Sequence, residues 1–381
     1  MLLTINLLSQ VLGVLNERPQ HGGNRAWAAA IAHCSPDALL DFSASINPLG
    51  PPETAIAAIH GSLADLVAYP DPSYSHLRVA LSEFHHIAPE YILPGNGAAE
   101  LLTWAGRELA TLEATRLVTP AFGDYGRSLR AFDSRVISHP LLTETAPLTA
   151  DALAQTIAAI AEAEAAPNSG ILLNNPHNPT GQLVQAEVLR PLLERFALVV
   201  VDEAFMDFLP PAEQTSVLEW VQTYPNLVVL RSLTKFYSLP GLRLGYAIAQ
   251  PERLHRWQRW RDPWSVNSLA VAAGIAVIRD QAFQAQTWAW LPPARSQLFA
   301  GLSQQPGLQP LPGVANFLLV KSESSVVQLQ RQLLQQDQIL IRDCLSFPEL
   351  GDRYFRVAVR TEAENARLLQ ALATLDSTEG R

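Results

Sequence analysis

Short runs of apolar, largely β-branched residues recur along much of the chain, and they constrain its fold more than any other feature. RLVTP (116–120), GILLNNP (170–176), ALVVVDEAF (197–205), LVVLRS (227–232) and LRLGYAIA (242–249) are each too short for an ordinary helix. They are also too uniformly apolar for strands with one wet face, so they suit strands of a sheet covered on both sides. The segments between them, among them AAELLTWAGRELA (98–110) and the Ala-rich ADALAQTIAAIAEAEAA (150–166) ended by Pro167, read as the covering helices. The expectation is an α/β layered domain.

Beyond the Pro-rich LPGVA (311–315) the pattern changes to NFLLVK, ILIRDC and YFRVAVR, each strand-like, and then to a closing helix for which Thr361 and Glu364 make a capping box. This reads as a small α+β domain, reached through a helical region (250–305) that carries several tryptophans. A chain of 381 residues is long for one core, which supports the division. The boundaries read as residues 1–45 for an N-terminal arm and part of the small domain, 46–280 for the large domain, and 281–381 for the small C-terminal domain.

Composition excludes several classes. Hydrophobic residues make up 48% and charged residues 17%, which argues against disorder, and no run of about 18 apolar residues exists to span a bilayer. Lys+Arg 27 against Asp+Glu 36 leaves a net charge of −9, which disfavours nucleic acid or an anionic membrane as partner. Any anionic ligand must then be held by local positive groups. Cys34 and Cys344 are too few and too far apart for a metal site or a disulfide framework, and a cytoplasmic location fits. Residues 2–15 are apolar but broken by Thr4, Asn6, Ser9 and Gln10, without a basic start or a cleavage site, so they read as an amphipathic docking arm. His85 and His86 read as exposed, since no acidic or cysteine cluster recurs at ligand spacing, and no metal is expected. Trp257, Trp260 and Trp264, near helical spacing, read as packing residues.

Four segments carry chemistry. In SLTKFYSLPGLRLGY (232–246), Lys235 follows a buried strand and Arg243 lies eight residues beyond it. A lysine at a strand end, partly desolvated, can act as an amine nucleophile toward an aldehyde cofactor, while Ser232 and Arg243 offer a hydroxyl and a guanidinium for a phosphate. Alone, the lysine reads as a solvated surface amine. Asp202 ends the run ALVVVD, at the strand end where open α/β sheets bind ligands, and a carboxylate there suits a protonated pyridine nitrogen. A helix cap or loop salt bridge is the other reading. In NNPHNPTG (174–181), turn chemistry accounts for Pro179 and Gly181, and Asn178 is placed to donate to a ring oxygen. PGNGAAE (94–100) is a glycine-rich turn opening a helix, whose free N–H groups suit an anion.

In this order along an α/β chain, the four segments resemble the class I/II aminotransferase fold over essentially the whole length. Within that superfamily, HGGN (21–24), DFSASINPLG (41–50), YPDPSY (69–74), DEAFMDF (202–208), PWSVN (263–267), ILIRDC (339–344) and YFRVAVR (354–360) are similar to segments of the threonine-phosphate decarboxylases of cobalamin biosynthesis, themselves similar to histidinol-phosphate aminotransferases. The resemblance implies a fold-type I architecture, a large domain with a mostly parallel seven-stranded sheet and a small α+β domain. It also implies pyridoxal 5′-phosphate as cofactor and a homodimer.

By the same resemblance Lys235 bonds the cofactor, Asp202 pairs with the pyridine nitrogen and Asn178 contacts the phenolic oxygen. Gly97, Ala98, Ser232 and Arg243 hold the phosphate, with Tyr69 reaching it from the neighbouring subunit. Phe122 stacks on the ring, with Tyr125 in reserve. On the substrate side, Arg356 is implied for a carboxylate, Arg342 and the His21-Gly22 segment for a phosphate, with Ser45 and Asn178 alongside. Two residues depart from relatives: Phe205, where histidinol-phosphate aminotransferases carry tyrosine, matches the decarboxylase pattern, and Ser45 stands where the decarboxylases show asparagine. The activity implied is decarboxylation of O-phospho-L-threonine. The alternatives are a histidinol-phosphate-type or other amino-acid aminotransferase, and a non-catalytic cofactor-binding module.

Overall fold

A computed structural model describes residues 18–142, 148–149, 151–163 and 166–379. The docking arm expected at residues 2–15 lies outside them. The chain divides into two compact units.

The large unit, Ile46–Pro293 with Pro312–Asn316, is built on strands β1 (Ile92–Asn96), β2 (Thr115–Thr119), β3 (Val136–Pro140), β4 (Ala166–Asn174), β5 (Phe196–Asp202), β6 (Leu227–Ser232) and β7 (Leu244–Ala249). They form one seven-stranded sheet in the order β1-β7-β6-β5-β4-β2-β3. The run from β6 to β3 is parallel, and β7 is antiparallel to both its neighbours. The apolar runs are strands for the reason expected: every residue of β6 and β7 is buried. Helix Ala98–Leu109 lays Leu101, Leu102, Ala105 and Leu109 against Leu172, Leu198, Val228 and Leu230 of the sheet. Each such side chain contributes about 1.5–3 kcal/mol of burial.

Two strands of this sheet escaped the sequence reading, and both are edges among the described residues. β1 contains Pro94 and Gly95 and pairs only with β7, an arrangement that tolerates proline, and it hid inside what reads as a glycine-rich turn. β3 alternates between exposed and partly buried residues and pairs only with β2. The Ala-rich helix runs Ala152–Glu162, with Leu153, Ile157 and Ile160 buried on one face. Pro167 does not end it but lies in β4, beside the irregularity between Ala166 and Gly170.

The large unit extends to Pro293 rather than stopping at residue 280. The first part of helix Gln281–Ser303 is bonded into it: Thr287 Oγ1 accepts from Asn47 Nδ2 at 2.9 Å, Gln284 Nε2 donates to Tyr237 Oη at 3.1 Å, and Trp288 Nε1 donates to the Asp207 carbonyl at 2.9 Å.

The second unit comprises the described residues up to Ser45, Ala294–Leu311 and those from Phe317 onward. Its four-stranded antiparallel sheet has the order Arg342–Asp343, Tyr354–Ala358, Phe317–Ser322, Leu308–Pro310, and Leu40–Asp41 pairs in parallel with Ile339–Leu340. Trp27, from helix Arg25–Ala32, packs with Leu334 and Leu340. The capping box forms: Thr361 Oγ1 donates to Glu364 Oε2 at 2.7 Å, and Glu364 N donates to Thr361 Oγ1 at 3.4 Å. No helix among the described residues is long and apolar enough to cross a membrane.

Candidate active site

In the large unit, the carboxyl ends of β4, β5 and β6 lie in register, Asn174 beside Asp202 and Asp202 beside Leu230. Asp202 is fixed through both oxygens: Oδ1 accepts from Ala204 N at 3.0 Å and Oδ2 from Tyr125 Oη at 2.8 Å. Burial pushes its carboxyl up to about 6, against the lowering pull of those two bonds and of the Lys235 charge. Such a carboxylate gains most from a cationic partner. Tyr125, held in reserve for ring stacking, instead commits its hydroxyl to Asp202, and burial with that carboxylate raises its phenol well above the usual range. Phe122 stands edge-on to Tyr125, ring centroids 5.6 Å apart.

Lys235 follows β6, and its carbonyl accepts from Asn47 N at 3.1 Å and Ser238 N at 3.4 Å. Ser232 Oγ and Thr234 Oγ1 share a hydrogen bond of 2.7 Å. Arg243 sits in the left-handed region, φ +59°, just after the turn Pro240–Leu242. Gly97, φ +74°, opens helix Ala98–Leu109, and a Cβ there would come within 2.5 Å of Arg243 Nη2. A Cβ on Gly245 would lie 2.5 Å from Ala98 N. The guanidinium and the helix N-terminus therefore approach as closely as only glycines permit, which makes a cradle for a dianion.

Asn178 is buried in a loop shaped by His177, whose Nδ1 shares a 2.8 Å bond with Thr180 Oγ1, and by the Gly181 N bond to the His177 carbonyl at 2.6 Å. Phe205 is buried near Phe208. Tyr69 is 78% exposed and stacked on Trp264 at 4.3 Å, while Trp257 is fully buried. His85 departs from its exposed reading, because its Nε2 bonds Tyr246 Oη at 2.7 Å and burial holds its pKa well below the usual value. No group of side chains among the described residues could hold a metal ion.

Sequence reasoning missed the charge cluster behind this site. Arg231, 1% exposed, bonds Glu203 at 2.9 Å, Asp207, and Ser216 Oγ at 3.0 Å. An arginine inside LVVLRS signals such a cluster, since a buried guanidinium requires carboxylates.

In the second unit, Arg342 and Arg356 are cross-strand partners. Their side chains therefore share one face. Arg342 donates to the Pro19 and Gln20 carbonyls and to Ser346 Oγ at 2.5 Å. Burial, and then the charge of Arg342, push Arg356 down to about 10. Two guanidinium groups so placed favour an anion. Gly22 is required where it stands, since a Cβ would meet the Ser43 carbonyl oxygen at 2.1 Å. Ser43 Oγ accepts from Gly23 N at 2.8 Å and donates to Asp41 Oδ1 at 2.6 Å. A narrow open cleft is lined by His21, Gly22, Ser43 and Arg342 among others. Ser45 Oγ is buried without a hydrogen-bond partner among the described residues.

The donor set of the large unit fits the cofactor implied by the resemblance: a dianion cradle, a buried carboxylate for a ring nitrogen and an amine for an aldehyde. A family model described as aminotransferase class I and II matches residues 37–372. The threonine-phosphate decarboxylase of Salmonella typhimurium is 39% identical over 357 residues, 92% of this chain and 95% of that protein. The adenosylcobalamin biosynthesis bifunctional protein CobDQ of Leptospira interrogans is 30% identical, covering 94% of this chain and 41% of its own length. The crystal structure of the histidinol-phosphate aminotransferase from Clostridium acetobutylicum aligns with a TM-score of 0.78 at 26% identity, over 89% of this chain and 100% of that one. The family match takes in residues of both units, and the chain belongs to the class I and II aminotransferase family, whose members work with pyridoxal 5′-phosphate.

Proposed function

We propose that this chain is a pyridoxal-phosphate-dependent lyase that removes the carboxylate of O-phospho-L-threonine as carbon dioxide and leaves (R)-1-aminopropan-2-yl phosphate, a step of cobalamin biosynthesis. The likeness to threonine-phosphate decarboxylase over 92% of the chain carries this reading, and the likeness to the cobalamin-pathway protein places the step. Phe205, which matches the decarboxylase pattern, agrees with it.

When bound, the cofactor accepts the electron pair of whichever bond breaks at the substrate α-carbon. Everything else falls to the chain. Arg243, Ser232 and the Gly97–Ala98 turn hold the phosphate, Asp202 keeps a proton on the ring nitrogen, and Asn178 donates to the ring oxygen. Phe122 covers the ring. Lys235 supplies the amine that bonds the cofactor and returns a proton to the α-carbon once the carboxylate has left. Arg356 takes the substrate carboxylate, while Arg342 and the His21-Gly22 loop take its phosphate. Holding both ends sets which α-carbon bond is aligned for cleavage.

The same reading makes the protein a cytoplasmic homodimer. Val67 is 95% exposed, Tyr69 78%, Leu66 59% and Leu63 47%, and Val67 and Tyr69 line an open cleft. Apolar surface of this kind asks for a partner. A second copy, receiving Tyr69 at its cofactor phosphate, is the occupant.

Incubation with phosphothreonine, scoring carbon dioxide release against amino transfer to a keto acid, tests the reaction. Release without transfer is expected. Transfer alone would make the chain an aminotransferase, and a yellow protein that turns over neither would be a binding module. Borohydride reduction and peptide mapping should label Lys235, and Lys235→Ala should abolish the adduct.

A further inference from the structure

Arg261 has no part in the chemistry above, yet it is buried and touches three separate segments of the large unit. Its Nη1 donates to the Pro94 carbonyl at 2.5 Å and lies 3.7 Å from Glu100 Oε1. Glu100 Oε2 in turn accepts from Asn96 N at 2.6 Å, so the pair braces both sides of the Gly97 turn that opens the phosphate cradle. A carboxylate in the first turn of an anion-binding helix repels the anion unless a cation balances it, and Arg261 is that cation. On its other side, the guanidinium carbon lies 5.5 Å from the centroid of the Tyr74 ring.

Tyr74 is 1% exposed and left-handed, φ +48°. Its hydroxyl donates to the Pro263 carbonyl at 3.0 Å and accepts from Val266 N at 3.1 Å. The same loop carries Trp264, on which Tyr69 stacks. One loop, residues 261–266, thus grips the exposed Tyr69 segment through Trp264, Pro263 and Val266, and grips the phosphate turn through Arg261.

We propose that Arg261 is a positioning residue that couples cofactor occupancy to self-association. It ties the phosphate turn to the segment that meets the second copy of the chain. The proposal rests on the homodimer reading above. Anything that orders the turn orders the Tyr69 segment, and by linkage an assembled Tyr69 segment tightens the hold on phosphate by the same factor. The guanidinium suits this task because its planar fork serves a carbonyl, a carboxylate and an aromatic face at once, which an ammonium does not.

The test is subunit exchange, followed by energy transfer after mixing donor-labelled and acceptor-labelled protein, with and without pyridoxal phosphate. In the native chain the cofactor is expected to slow exchange by about tenfold. In Arg261→Lys, which keeps charge and most of the bulk, the two rates should come within about twofold, while cofactor absorbance still develops at saturating concentration. Glu100→Gln, which removes the balanced carboxylate, should also shrink the ratio and serves as a second variant if Arg261→Lys folds poorly. A residue that merely stabilised the fold would shift both rates and leave their ratio alone. A ratio in the variants equal to the native one overturns the coupling and leaves the dimer intact. A native chain that is monomeric in both states overturns the dimer reading and the coupling with it.

Discussion

Two groups of buried arginine contrast in this molecule. Arg231 is closed: Glu203 and Asp207 neutralise it, and Ser216 Oγ accepts a further bond. Arg342 and Arg356 form the open group, two like charges on one face of adjacent strands. They face each other across a strand pair, and Asp343, the carboxylate 3.7 Å from Arg342, is already held by Arg18 at 2.8 Å. Glu203 has the same closed character, since its Oε1 accepts from Val217 N at 2.9 Å and its Oε2 from Ser216 Oγ at 2.6 Å. Asp202, its neighbour in sequence, belongs with the open group: Tyr125 and Ala204 bond it, and burial displaces its carboxyl upward. The lesson is that burial alone does not mark a site. A charge set among opposite charges inside the fold holds the fold, whereas a like-charge pair or a carboxyl raised by burial marks a place for a ligand.

The largest effect should come from breaking the closed cluster. Arg231→Met leaves two carboxylates buried without their cation and should cost about 3–5 kcal/mol of stability in urea unfolding. Burial already raises both Glu203 and Asp207, so their folded state binds protons more readily than the unfolded one. Their penalty is therefore smallest at low pH and grows as pH rises, and the gap between variant and native should narrow on acidification. A loss under about 1 kcal/mol would place this cluster with the open group instead.

Opening charges should behave in the opposite sense. Arg342→Lys or Arg356→Lys should weaken kcat/KM by about 2–4 kcal/mol, since the bidentate fork is lost, while cofactor absorbance is retained. Unchanged kinetics in both lysine variants would assign the substrate anions elsewhere.

The smallest effect sharpens the contrast at Asp202. With its carboxyl raised to about 6, the cofactor-free protein takes up a proton there as pH falls, and that proton must leave when a protonated ring nitrogen binds. Cofactor affinity, measured by absorbance titration, should therefore weaken as pH drops through about 6. Tyr125→Phe removes a donor that lowers this value, so the weakening should begin at higher pH and cost about 1 kcal/mol. The cofactor's own phosphate titration is common to both proteins, so the difference between them reports the carboxylate.

The sequence announced the proposed cofactor residues better than the closed cluster. Lys235, Asp202 and Arg243 occupy motif positions around strand ends, where turn and glycine chemistry leave local marks. The central strands were legible because their runs are apolar throughout. β1 and β3 were not, because an edge strand need satisfy only one neighbour and so tolerates the proline and polar residues that read as loop. The Arg231 cluster joins residues from separate strands and loops, and so does the bond between Tyr125 and Asp202. Such pairings belong to the fold, and no local pattern encodes them.

Consecutive residues divide the two duties. In β6 Arg231 serves the closed cluster while Ser232 turns to Thr234, and at the end of β5 Asp202 meets Tyr125 while Glu203 meets Arg231. Neighbouring strand residues point to opposite faces, so gaining or losing one residue in either strand would exchange the two sets. A single inserted codon would bury the proposed cofactor-binding groups among the structural charges and turn the structural charges toward the ligand. Descent with modification should thus alter side chains in these strands but preserve their length, and insertions and deletions should gather in surface stretches such as the exposed residues 211–213.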